Sequence, residues 1–135
     1  MTTETKKVSG LILLGVPTIV YGGCFLLTVL SGEQDLDLTP FQRAMFRAGH
    51  AHAGVLVILS LVIQNYADHA KLSKGYRWLV RLSFPVSSIL ISLGFFAAAL
   101  GDSVTKPNGF IFILYLGVFA LLSGLITLGV GLVRN

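Results

Sequence analysis

The sequence predicts an all-α fold, a four-helix transmembrane bundle running up-down-up-down with both termini cytoplasmic. Three observations predict it. Of the 135 residues, 54% are hydrophobic and only 12% charged, about half the charge of an ordinary soluble domain. Those charges gather in a few short clusters. Between the clusters lie four apolar stretches that each approach or exceed the roughly 20 residues needed to cross a bilayer. A single integral membrane domain over residues 1–135 follows, with no separate soluble domain. The net charge of +4 is carried mainly beside apolar segments, where it sets topology, so it is not a nucleic-acid signal.

The first helix is expected over residues 8–30, after a short polar tail holding Lys6 and Lys7. Its apolar run is too long for a signal-peptide core and lacks an Ala-x-Ala cleavage pattern, so it reads as a retained span. The acidic loop SGEQDLDLTP follows, with Glu33, Asp35 and Asp37. A second helix over 40–66 opens on a full start signal: Thr39 as N-cap, Pro40 at the first helical position, and Gln42 where a capping box places Glu or Gln. Its length, about 40 Å at the usual rise, exceeds a hydrocarbon core of about 30 Å. Arg43 and Arg47 are therefore expected in the headgroup region, with His50 and His52 at or just inside the boundary.

The connection ADHAKLSKGYRWLVR is basic and carries Tyr76 and Trp78 as interfacial anchors. The third helix is expected over 78–100, with Pro85 in its first part, and the fourth over 110–133 after the turn-rich GDSVTKPNG. Seven Lys and Arg residues fall in the termini and the middle connection (Lys6, Lys7, Lys71, Lys74, Arg77, Arg81 and Arg134), against Arg43, Arg47 and Lys106 in the other two loops. That asymmetry puts both termini inside, in a bacterial plasma membrane. Small residues recur every seven positions: Gly117, Gly124 and Gly131, then Gly15 and Gly22, then Ser87 and Gly94. Such seams let membrane helices approach closely.

Candidate chemistry concentrates in FRAGHAHAGVLVILSL, residues 46–61. Ionisable groups in a span point to function by default. His50 and His52, two positions apart, are turned about 200° from each other and do not readily grip one metal together. At similar depth the first helix offers Tyr21, Cys24 and Thr28, the third Ser92, Phe95 and Phe96, and the fourth Phe112 and Tyr115. A histidine in such company suits a metal or haem ligand, a proton-transfer group, or a structural interfacial residue. Arg43 and Arg47 share a face. They suit pairing with Glu33, Asp35 or Asp37, lipid phosphates, or an anionic group such as a haem propionate. Cys24, the one cysteine, excludes an intrachain disulfide and reads as packing. No acidic residue falls inside any expected span, no phosphate loop, dinucleotide fingerprint or hydrolase elbow occurs, and no di-iron carboxylate–histidine set is present.

The element HAHAGVLVIL resembles the histidine-bearing helix start of haem-copper oxidase subunit I and of NnrS-type membrane proteins. That resemblance covers ten to fifteen residues and implies a haem or copper ligand role for His50 or His52. Those families draw histidines from several helices; here the other expected spans hold none, so a second copy of the chain would complete a ligand set. As a whole, the chain resembles small four-helix membrane proteins of bacteria, a likeness that implies no function. The expectation is a haem- or metal-binding membrane protein with a redox, electron-transfer or gas-sensing role. Its site would comprise His50 and His52 as ligands with Arg43, Arg47, Tyr21 and Tyr115 around the cofactor. Two alternatives stand beside it. One is an oligomeric, non-enzymatic membrane subunit or small-molecule transport component, and the other a lipid-modifying enzyme with a histidine general base. Expected partners are membrane lipids and further copies of the chain or a larger membrane complex.

Overall fold

The computed structural model describes residues 1–34 and 36–134. It contains four helices, α1 (Thr3–Leu30), α2 (Pro40–His69), α3 (Lys74–Ala98) and α4 (Ile111–Val133), each long and apolar enough to cross a membrane. Three helix ends extend beyond the apolar runs. Thr2 caps α1, accepting from the Thr5 amide, so the polar tail is helical. The charged residues between the second and third spans are also largely helical, which places Asp68 in the last turn of α2 and Arg81 inside α3.

Packing is uneven along the row of helices. Half of the most apolar stretch of α3 is buried, against 6% of that of α1, so α3 is the centre and α1 the periphery. Between α3 and α4 the glycine seam does what its spacing predicts. A Cβ at Gly94 would run into the Leu114 backbone, one at Gly117 would lie 2.8 Å from the Ile91 nitrogen, and one at Gly124 would strike Ser83. These three contacts descend one helix as they ascend the other. Nearby, Val80 and Phe84 of α3 meet Ile63 and Ala67 of α2 and Leu128 of α4 in the main apolar core. The expected seam on α1 behaves differently: a Cβ at Gly15 or Gly22 would meet nothing within 4 Å.

Polar groups lock the two ends. At one end the predicted capping box of α2 is present, with the Thr39 amide donating to Gln42 and the Gln42 amide to Thr39. The Gln42 Nε2 also donates to the carbonyls of Ala99 (3.0 Å) and Gly101 (2.8 Å). One side chain thus caps the start of α2 and ties it to the end of α3. Asn108 satisfies further α3 carbonyls, donating from Nδ2 to Ala97 at 2.9 Å. At the other end, the end that carries both termini, the Lys71 amide donates to the Gly131 carbonyl at 2.9 Å.

Pro85 sits inside α3. Lacking an N–H, it cannot bond the carbonyl four residues back, which is that of Arg81. The Gln64 side chain of α2 fills the gap, donating to that carbonyl at 3.0 Å. A kink-prone residue is thereby converted into an interhelical bond, as apolar surroundings require.

The α3–α4 seam predicts a clear contrast. Gly94→Val should lower stability in mild detergent by about 1–3 kcal/mol through overpacking. Gly22→Ala should leave the midpoint of thermal unfolding unchanged.

Candidate functional site

One face on each of three helices borders a shared opening. On α1 it comprises Val8, Ile12, Gly15 and Ile19; on α2, Ala53, Val57 and Ser60; on α3, Pro85, Ser88 and Ser92. Spacings of three and four keep each set on one side of its helix. Together they line a cleft of about 470 Å³, within the size range of small-molecule sites. Leu11 and Ile89 form its rim and are 71% and 64% exposed, so the cleft opens sideways from the helices.

The cleft exists because α1 is held near its two ends. Near the termini, Thr5 of α1 meets Gln64, Asp68 and Arg81. Arg81 is 2% exposed and pairs with Asp68. Its guanidinium also donates to Thr5 Oγ1 (2.7 Å), Gln64 Oε1 (3.3 Å), the Gln64 carbonyl (3.4 Å) and Thr2 Oγ1 (3.3 Å). Asp68 in turn accepts from the hydroxyls of Thr2 and Thr5 at 2.9 Å and from the Thr2 amide at 3.1 Å. A buried charge demands such saturation. At the opposite end, a Cβ on Gly23 of α1 would lie 2.8 Å from His50 Cε1. The absence of a side chain there admits the imidazole against the α1 backbone.

His50 continues the cleft face of α2. It precedes Ala53 by three residues, about 4.5 Å along the axis, and is half-buried. His52 is exposed; its Nδ1 lies 2.8 Å from the Ala48 carbonyl and its ring packs 4.8 Å from that of Phe95. The two imidazoles therefore face different helices, as their spacing implies. Among the described residues, no three His, Cys, Asp or Glu side chains gather where they could hold a metal ion.

The other candidates lie apart from the cleft lining. Arg43 and Arg47 are exposed on the early turns of α2. Among the described residues neither pairs with Glu33 or Asp37, and Asp35 lies outside those residues. Tyr21 and Tyr115 are 76% and 64% exposed on α1 and α4, and Cys24 is exposed too. Ser92, in contrast, is where depth matching puts it, level with the histidine turn of α2.

The Arg81 cluster is what sequence reasoning misses. Asp68 falls just past the expected 40–66 span, and Arg81, although inside the expected 78–100 helix, is counted there with the basic connection, so neither is singled out. A signal was nevertheless present. His50, Ala53, Val57, Ser60, Gln64 and Asp68 form one stripe of α2 that turns polar toward the termini. Arg81, Pro85, Ser88 and Ser92 form its counterpart on α3. No protein-family model, curated protein or solved structure matches the chain.

Breaking the buried pair should be costly. Arg81→Met alone should destabilise by about 3–5 kcal/mol, because Asp68 is left unpaired. The Arg81→Met/Asp68→Leu double variant should recover most of that loss in denaturant unfolding.

Proposed function

We propose that this integral membrane protein binds a small molecule dissolved in the lipid phase, using the lateral cleft between α1, α2 and α3. The single observation that carries the reading is the cleft itself: an apolar slot of about 470 Å³, open at the side, with the Arg81 cluster one helical turn beyond Val8, Ser60 and Pro85 and His50 one turn beyond Ala53. Entry is from the bilayer, since the exposed rim is apolar. The termini lie on the cytoplasmic side in this reading. Its support is the excess of Lys and Arg near the termini, with Arg81 set aside because it is neutralised internally. The large apolar surface of α1 contacts lipid.

Two modes of action fit this arrangement. In one, the protein is a carrier or transport component and His50 only orients the molecule. In the other, it modifies a lipid, with His50 as general base at the molecule's polar end. The haem or metal role implied by the HAHAGVLVIL resemblance is the competing reading. In it one chain offers His50 or His52 as an axial ligand, and two-fold pairing of chains could bring the α2 histidines together at an interface.

The test is chemical extraction of protein purified in mild detergent, followed by mass spectrometry and, on the same sample, oxidised and reduced absorption spectra. Wild type should retain about one equivalent of an apolar molecule. Gly15→Leu, which pushes a side chain into open space, should lower retention at least about tenfold, equivalent to about 1.4 kcal/mol, with thermal stability unchanged. Equal retention by the two proteins contradicts the reading, and a Soret band lost in His50→Ala replaces it with the haem reading. His50→Ala also separates the two modes. A carrier yields an extract of unchanged kind, whereas an enzyme accumulates the unconverted form.

A further inference from the structure

A second cavity opens between α1 and α3 at the end that carries the termini. It holds about 270 Å³ and is lined by Thr2 and Glu4 of α1 and by Lys74, Arg77, Trp78 and Arg81 of α3. Helical register sets it in line with the cleft. On α1, Glu4, Val8, Leu11 and Gly15 follow one another at steps of four, three and four. On α3, Lys74, Trp78, Leu82, Pro85 and Ile89 do so at steps of four, four, three and four. Such steps keep residues on one helix face. Glu4, Lys74 and Trp78 line the small cavity and the later members of each row line the cleft. The two cavities thus lie end to end along the α1–α3 gap, charged at the mouth and carbon-lined beyond it.

Their dimensions match the layers of a bilayer. From Val8 to Ile19 the cleft covers about 16 Å of α1, close to the depth of one leaflet, which is half of a hydrocarbon core of about 30 Å. The small cavity stands one turn outside the apolar runs, beside the exposed Tyr76 and Trp78, residue types that settle at headgroup level.

The charges around the small cavity are not all used up within the chain. Arg81 is neutralised by Asp68. The Arg77 Nη2 donates to the Leu72 carbonyl at 3.2 Å, which steadies that guanidinium, and Lys74 is exposed. Glu4 lines the same cavity, yet among the described residues it pairs with neither Lys74 nor Arg77. Two cations and a carboxylate held apart around one cavity suit a ligand that carries both signs: a phosphate for Lys74 and Arg77 and an ammonium for Glu4.

We infer that the cleft's ligand is a phospholipid with a zwitterionic head of the phosphoethanolamine kind, its head in the small cavity and one acyl chain along the cleft. This rests on the proposal that the cleft binds a lipid-phase molecule, and adds its head group and direction. It places the end of the chain, not the head, toward His50, which favours the carrier mode over histidine catalysis at the head.

Titration of the full-length protein in mild detergent tests this, with phosphatidylethanolamine or phosphatidylglycerol bearing the same acyl chains and native mass spectrometry to count bound lipid. Wild type should bind phosphatidylethanolamine about tenfold more tightly than phosphatidylglycerol. Glu4→Gln should erase that preference, and Lys74→Gln should weaken both lipids about fivefold through the lost charge-assisted bond. Gly15→Leu should weaken both as well, and all three variants should melt as wild type does. Water-soluble glycerophosphoethanolamine, which has the head and no chain, should compete poorly. Equal binding of the two lipids by wild type, or a preference that survives Glu4→Gln, overturns this inference and leaves cleft binding to the extraction test. Full competition by the soluble head, or lipid binding untouched by Gly15→Leu, divorces the head cavity from the cleft and also overturns it. If extraction of wild type yields no bound molecule either, the cleft reading falls with it.

Discussion

The buried guanidinium of Arg81 is the constraint on which the arrangement of helices depends. A charge this deep is tolerated only when its donors are met, and the acceptors come from two places: Thr2 and Thr5 at the start of α1, and Gln64 and Asp68 at the end of α2. α1 otherwise has little hold on the rest of the chain. Its apolar stretch is almost wholly unburied, and without the Arg81 cluster it would rest chiefly on the fit of Gly23 against His50. The same cluster resolves the defect that Pro85 introduces, because the glutamine that accepts from Arg81 also bonds the carbonyl that Pro85 leaves free.

Pinning a helix near both ends while its middle lacks bulk produces a cleft. Gly15 contributes no side chain, and Pro85, Ser88 and Ser92 opposite it are compact. In the proposed reading such an opening faces the bilayer, and its occupant arrives from the lipid phase.

Much of the fold is legible in the sequence because bilayer crossing is a demand on length and composition. The four spans, the Thr39–Pro40–Gln42 start of α2 and the Gly94, Gly117 and Gly124 approaches all follow from local patterns with a direct physical meaning. The α1 glycines carry the same pattern, yet Gly15 and Gly22 face open space, because spacing reveals which face is small and says nothing of whether a neighbour comes to fill it. Of the candidate site, the histidine turn and Ser92 were visible by depth, and the divergence of His50 from His52 by helical angle. The pairing of Asp68 with Arg81 was not, since Asp68 falls just past the apolar run of α2 and Arg81 reads as one more basic residue beside the start of α3. Their partnership emerges only when α2 and α3 are set side by side.

Magic-angle-spinning NMR of the protein in lipid bilayers tests the central claim most directly, by asking what touches Gly15 of α1 and Ser88 of α3. The account predicts that each shows contacts to carbons of a bound apolar molecule and that no direct Gly15–Ser88 contact appears. A direct cross-peak between these two residues would mean that α1 closes onto α3 along its length, leaving no cleft for a ligand.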